Sequence, residues 1–273
     1  AKAMSSTNLD STDPEYEDEP DFENMSFEFD DPFSFKKSKS NLIWEENFEN
    51  EFLDTNHWNI YSGNGCPELC GFGNHELQYY ENDFNTINIK DGKLFISAYF
   101  NSLANSFKSA KITTNGKVDF QTGYLEVVAQ LPNAVGTWPA IWLLPSLERK
   151  LNWPYDGEID IMENVGYDSC KIFGTIHTKA YNHVNGTQKS DSIFIVNAHQ
   201  DFHTYALNWT DSVLEWYVDT ILYNRIKRNS NDSQKEWPFD KKFHLIINQA
   251  VGGDWGGKYL SLIHISEPTR RDQ

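Results

Sequence analysis

The chain has 273 residues and a formal charge of −17, with 39% hydrophobic and 15% aromatic residues, enough for one large domain or two small ones. The acidic excess argues against nucleic acid and anionic membrane surfaces as partners, and no apolar run reaches the length of a membrane span. Eleven Asp and Glu against one Lys fall within residues 1–35, so the remainder is only mildly acidic and compatible with a neutral polymer as substrate.

Residues 1–40, rich in Asp, Glu, Ser and Pro, read as an acidic disordered tail. From Asn41 the texture changes to short alternating runs separated by turn signals. Strands are expected at Leu42–Trp44, Thr86–Ile89, Lys93–Ala98, Gly123–Leu131, Thr137–Leu144, Glu158–Met162, Ile172–His177, His203–Trp209, Val213–Val218 and Phe243–Ala250. Asp91-Gly92 and Thr210-Asp211-Ser212 read as hairpin turns. No segment has the length and period of a substantial helix, so the pattern predicts an all-β sandwich or barrel.

Cys66 and Cys70 are spaced to close a short disulfide loop, while no second Cys pair or spaced His pair completes a metal site. The odd count leaves Cys170 free, and we expect it to be buried. Asn185, Asn208 and Asn231 each open an N-glycosylation tripeptide, a pattern that also arises by chance.

Strand alternation places Trp138, Ala140 and Trp142 on one face, His244, Ile246 and Asn248 on one face, and Phe173, Thr175 and His177 on one face. Such interleaving fits a wet groove and equally an ordinary outer face. Nine Trp are core packing in the plain reading, with three or four lining a cleft in the sharper one.

The most informative segment is Gly157 to Asn164, G-E-I-D-I-M-E-N. Acids weaken strands and are costly to bury, so packing does not explain Glu158, Asp160 and Glu163. Regular alternation sets Glu158 and Asp160 on one face and Glu163 on the other. One extra residue, a β-bulge at Ile161 or Met162, returns Glu163 to their side. A carboxylate pair so placed suits retaining glycoside hydrolysis, which wants carboxyl groups about 5–5.5 Å apart. A calcium site or a solvated edge strand is the competing reading.

The segment resembles the signature of glycoside hydrolase family 16, in the E-x-D-x-x-E form of its laminarinases. Gly71 to Tyr80 resembles the family's G-W-G-N-x-E-L-Q-Y-Y. Ser109 to Thr114 resembles S-A-R-I-T-T with Lys111 for Arg, and Gly136 to Pro145 and Asn248 to Trp255 match two further motifs. The resemblance covers about Asn41 to Tyr259. It implies a β-jelly-roll of two antiparallel sheets with a concave cleft, an extracellular monomer, and retaining endo-hydrolysis of β-1,3-glucan without a required cofactor. Carried onto this chain, Glu158 is the nucleophile, Glu163 the acid/base and Asp160 the modulator between them. Trp138, Trp142 and Trp153 would line the subsites near the cut, and Asn74, Gln78, His177, Asn248 and Trp255 would contact sugar. The alternative on the same fold is a glucan-binding recognition protein, whose kind usually lacks one catalytic carboxylate.

The departures are specific. Val128 stands where the family often has Arg. Many members hold a structural calcium, but Asn47 stands at the early acidic position and the later Asp has no counterpart, so no metal residue is assigned. The family's final strand, resembling V-D-Y-V-R-V-Y, is also missing. Residues 260–273 resemble a translated sequencing-library adapter. The expectation is a catalytic domain over 41–259, C-terminally truncated, followed by non-native read-through.

Overall fold

The computed structural model describes residues 42–257. The acidic tail expected over 1–40 and the read-through expected over 260–273 lie outside the described residues. A seven-stranded sheet is built in the order β1 (Asn59–Ile60), β7 (Lys111–Thr113), β16 (Phe243–Val251), β9 (Thr137–Pro145), β10 (Glu158–Glu163), β11 (Lys171–His177) and β12 (Lys189–Phe194). A four-stranded sheet runs β15 (Ile221–Lys227), β14 (Val213–Val218), β13 (His203–Trp209) and β8 (Gly123–Ala129). Pairing within both is antiparallel.

Two smaller sheets complete the described residues. One joins β2 (Gln78–Tyr80), β6 (Ser106–Ser109) and β5 (Tyr99–Asn101), with β2 and β6 parallel. The other is the hairpin of β3 (Ile87–Lys90) and β4 (Lys93–Ile96), turned at Asp91-Gly92 with φ of 51° and 67°. The one α-helical turn among the described residues, α1, spans Gly253–Gly256.

Alternation puts the core between the two large sheets. Ile141 and Leu143 of β9, Ile159 and Ile161 of β10, Ile172 and Ile176 of β11 and Leu245 of β16 pack in one buried cluster with Tyr205, Leu207 and Trp209 of β13 and Leu214, Trp216 and Val218 of β14. Burying each such side chain is worth about 1.5–3 kcal/mol, so this face fixes the register of every strand on it.

Three expectations need correction. Leu42–Trp44 is no strand: Leu42 and Ile43 are exposed, and Trp44 alone turns in, packing edge-on against Trp58 and Phe120. Apolar character suggested a strand, yet among the described residues no neighbouring backbone forms a ladder with it. Cys170 is free but only half-buried, its Sγ donating to the Val196 carbonyl at 3.4 Å. Asn208 is an interior residue of β13, buried with its amide on Glu215, whereas Asn185 and Asn231 are exposed; glycosylation chemistry therefore has access to two of the three tripeptides. The Cys66–Cys70 disulfide is present.

Candidate active site

Strand β10 carries the three acids. Its register against β9 jumps from Asp160↔Trp142 to Met162↔Ile141, and against β11 from Asp160↔Thr175 to Glu163↔Phe173. One residue is therefore extra on β10. Ile161 and Met162, which would alternate on a regular strand, both enter the core, and Glu163 emerges on the face of Glu158 and Asp160. The leading glycine of the motif has a reason as well. Gly157 sits at φ 94°, and a Cβ there would stand 2.6 Å from Pro238 Cγ.

The opposite sheet reaches the strand at the bulge. Trp216 of β14, fully buried, sends its indole N–H through the core to the Asp160 carbonyl at 2.7 Å. Room for that indole depends on Gly174 of β11, where a Cβ would lie 2.5 Å from Trp216 Cδ1.

Each glutamate receives an indole donor. Trp153 Nε1 donates to Glu158 Oε2 at 3.0 Å, and Trp138 Nε1 donates to Glu163 Oε1 at 3.0 Å. His177 Nε2 lies 3.4 Å from Asp160 Oδ2 and 3.7 Å from Glu158 Oε1. Burial is the main force on all three acids and pushes each up to about 8. Repulsion from Asp160 adds to this for Glu158 and Glu163, while His177 and the indole donors oppose it. The trio titrates as a coupled set, and the His177 ring and an indole donor favour the charged form of both Glu158 and Glu163.

This pattern has a stability consequence whose sign is fixed. A carboxyl with a raised folded-state pKa binds its proton more tightly folded than unfolded, so stability falls as pH rises from the unfolded value near 4 to about 8. Asp160→Asn removes one buried ionisation. Its melting temperature should match that of the parent near pH 4 and exceed it increasingly toward pH 8, by about 2–4 °C for each ~1 kcal/mol relieved. A gain that is the same at both pH values would contradict the burial argument.

Aromatic side chains surround the acids. Trp138 meets Trp255 edge-on at 5.4 Å, and Phe173 meets Trp255 at 5.1 Å. Trp153 packs at 5.0 Å from His183, which in turn meets His177 edge-on at 5.0 Å. The loop bearing Trp153 is anchored by Asp156, whose buried carboxylate takes two bonds from Arg149 and one from the Asn152 amide. Arg149 holds Asp156 below the usual carboxylate range.

Two of the expected sugar contacts are buried. Gln78 is 1% exposed and spends its amide on Glu76 Oε2 at 2.6 Å and the Val251 N–H at 2.7 Å. Asn248 is 8% exposed; it accepts from Trp142 Nε1 at 2.7 Å, which orients the indole, and donates to the Tyr80 hydroxyl at 3.1 Å. Asn74, half-buried, donates to Glu76 Oε1 at 3.1 Å. Two residues that the sequence reading assigned no role in the site lie beside these side chains. Glu76 is held by Asn74 and Gln78. Lys111 lies 5.0 Å from the Trp142 ring and 5.1 Å from the Phe72 ring. The signal for Glu76 was its place between Asn74 and Gln78, with one polar side chain two residues to either side. Val128 lies on β8 of the other sheet, 60% exposed and away from the acids.

The family model for glycosyl hydrolases family 16 matches residues 72–262. The chain belongs to that family. Among family-16 relatives it is 41% identical over 226 residues to a beta-glucanase of Rhodothermus marinus, covering 80% of this chain and 77% of that protein. The crystal structure of a laminarinase from Flavobacterium sp. UMI-01 superposes with a TM-score of 0.75 at 39% identity, covering 81% of this chain and 92% of that one. The laminarinase structure from Rhodothermus marinus gives 0.74 at 41% identity, covering 79% and 87%. The sandwich described above is thus the family-16 jelly roll, and β10 with its bulge is the strand that bears the family signature.

Proposed function

We propose that this chain is a retaining endo-β-1,3-glucanase. The observation that carries the reading is the β10 bulge, which sets Glu158 and Glu163 on one face, each with an indole N–H on one oxygen and the other oxygen available. Glu158, ionised, attacks the anomeric carbon while protonated Glu163 donates to the leaving oxygen. The C–O bond to the leaving sugar breaks as the ester to Glu158 forms. Glu163, now a carboxylate, takes a proton from water, which attacks the same carbon and releases Glu158. Two displacements return the original configuration. Nucleophile and proton both come from side chains, so the cycle uses no cofactor.

Asp160 shares their face, and its charge, when present, raises the proton affinity of both glutamates. Trp138, Trp142, Trp153 and Trp255 offer flat apolar area to sugar rings. His177 and Asn74 supply polar contacts. The relatives' names, laminarinase and beta-glucanase, support a β-1,3-linked glucan as substrate. Seven strands about 4.8 Å apart make a cleft floor roughly 29 Å wide, room for several sugar units, which supports internal cutting. An extracellular location accords with the Cys66–Cys70 disulfide.

Reducing-sugar release from laminarin, lichenan and agarose tests the substrate, and proton NMR of the first products tests stereochemistry. Turnover of laminarin with the β-anomer appearing first is expected. Binding of laminarin without turnover would replace the enzyme reading with that of a recognition protein, and release from agarose alone would overturn the glucan assignment.

A further inference from the structure

Among the described residues, one group of three or more His, Cys, Asp and Glu brings its ligand atoms within 4.8 Å of one another: Glu158, Asp160 and His177. The glycosidase mechanism asks these residues to hold protons and meet a sugar. Their geometry also suits a second ligand class.

His177 Nε2 stands 3.4 Å from Asp160 Oδ2 and 3.7 Å from Glu158 Oε1. At a zinc–ligand distance of about 2.05 Å, the two His177–carboxylate pairs subtend roughly 110° and 130° at the ion, and the two carboxylate oxygens share it once they lie within about 4.1 Å of each other. Glu158 has its other oxygen tied to Trp153, which leaves Oε1 aimed at the imidazole. An independent observation points into the same space. The Asp160 side chain is 3% exposed, yet Oδ2 has no hydrogen-bond partner among the described residues. A buried carboxylate oxygen normally finds a donor, and an orphan of this kind is a ready ligand atom. One imidazole nitrogen and two carboxylate oxygens are all ligand types that zinc accepts.

We propose that Glu158, Asp160 and His177 form a site for Zn²⁺, and that the ion inhibits the enzyme reversibly. The proposal rests on the reading of Glu158 as nucleophile. The bound ion takes the Glu158 lone pair that would attack the anomeric carbon and stands where that carbon must approach. The site lacks one feature of resident metal centres: His177 Nδ1 is buried without an acceptor, so nothing fixes the ring from behind. The ion is therefore an exchangeable inhibitor and not a structural part of the fold. The exposed pairs His75–Asp254 and His203–Asp219 offer two ligands each and compete only weakly.

The test uses the full chain carrying Cys170→Ser, which removes the one free thiol. Calorimetric titration with ZnCl₂ is run beside laminarin hydrolysis at the same zinc concentrations. Expected are one tight site per chain, inhibition that follows its occupancy, and full recovery with EDTA. His177→Gln and, separately, Asp160→Asn should each raise the dissociation constant and the half-inhibiting concentration at least about tenfold, every variant being referred to its own metal-free rate. Unchanged zinc sensitivity in both variants overturns the site. Binding that requires His177 but leaves hydrolysis unhindered overturns the inhibition and the role of Glu158 together. A metal-free chain that hydrolyses no laminarin fails the functional reading alone, and the calorimetric site is then judged by its own loss in the two variants.

Discussion

Glu158→Gln is expected to lower kcat on laminarin by about 10³-fold or more, with folding intact. Gln is isosteric, and its Oε1 still accepts from Trp153 Nε1, so the loss reports chemistry and not packing. Glu163→Ala should be comparably impaired on laminarin, whose leaving sugar needs a proton. It should be far less impaired in the first step with an aryl glycoside whose leaving group needs none. Added azide separates the two roles. In Glu163→Ala it should attack the glycosyl-enzyme and give the β-glycosyl azide. In Glu158→Ala it should enter the space of the missing carboxylate and give the α-product. Opposite anomers from the two variants would fix the assignment; the same anomer from both would reverse or abolish it.

Trp216→Phe is the second large effect expected, and it arises more than a strand away from any sugar. Phe fills most of the same buried volume but cannot donate to the Asp160 carbonyl, now 2.7 Å from the indole nitrogen. Removing that donor from the buried carbonyl costs about 1 kcal/mol, which the fold survives. The local effect is greater, because the bulge holds Glu163 on the catalytic face only while its geometry is fixed. A misplacement of about 1 Å at a catalytic group can cost 10²-fold in rate. The expected signature is a kcat fall of about that size, KM nearly unchanged, and an altered high-pH limb where Glu163 loses its proton. Equal loss of kcat and soluble folded protein, with the pH profile unmoved, would reduce Trp216 to a packing residue. Gly174→Ala should reproduce the effect from the other side by pushing the indole off its bond.

Much of this was legible in the chain itself. Period-2 alternation predicts β13 and β14 to the residue and β9, β10, β11 and β16 to within a residue or two at each end, because a strand with one face in a core must alternate. The bulge was legible because three acids at that spacing have no other way to share a face. Short strands such as β1, β2 and β7 were not legible. They are two or three residues long and exist through pairing with distant partners, as Ile60 does with Ile112. The Leu42–Trp44 expectation failed for the converse reason.

At the site, the sequence by itself singled out Glu158, Asp160, Glu163 and the tryptophans as candidates, from residue type and motif. Tertiary structure decided what each side chain spends its hydrogen bonds on. Gln78 and Asn248 read as sugar ligands, but folding buries them and commits their amides to Glu76, Val251, Trp142 and Tyr80. Trp216 had no signal, since its partner is a backbone carbonyl 56 residues away. Alternation is local and can be read along a strand; a hydrogen bond across the sandwich depends on which strands face each other, and only the packed pair of sheets fixes that.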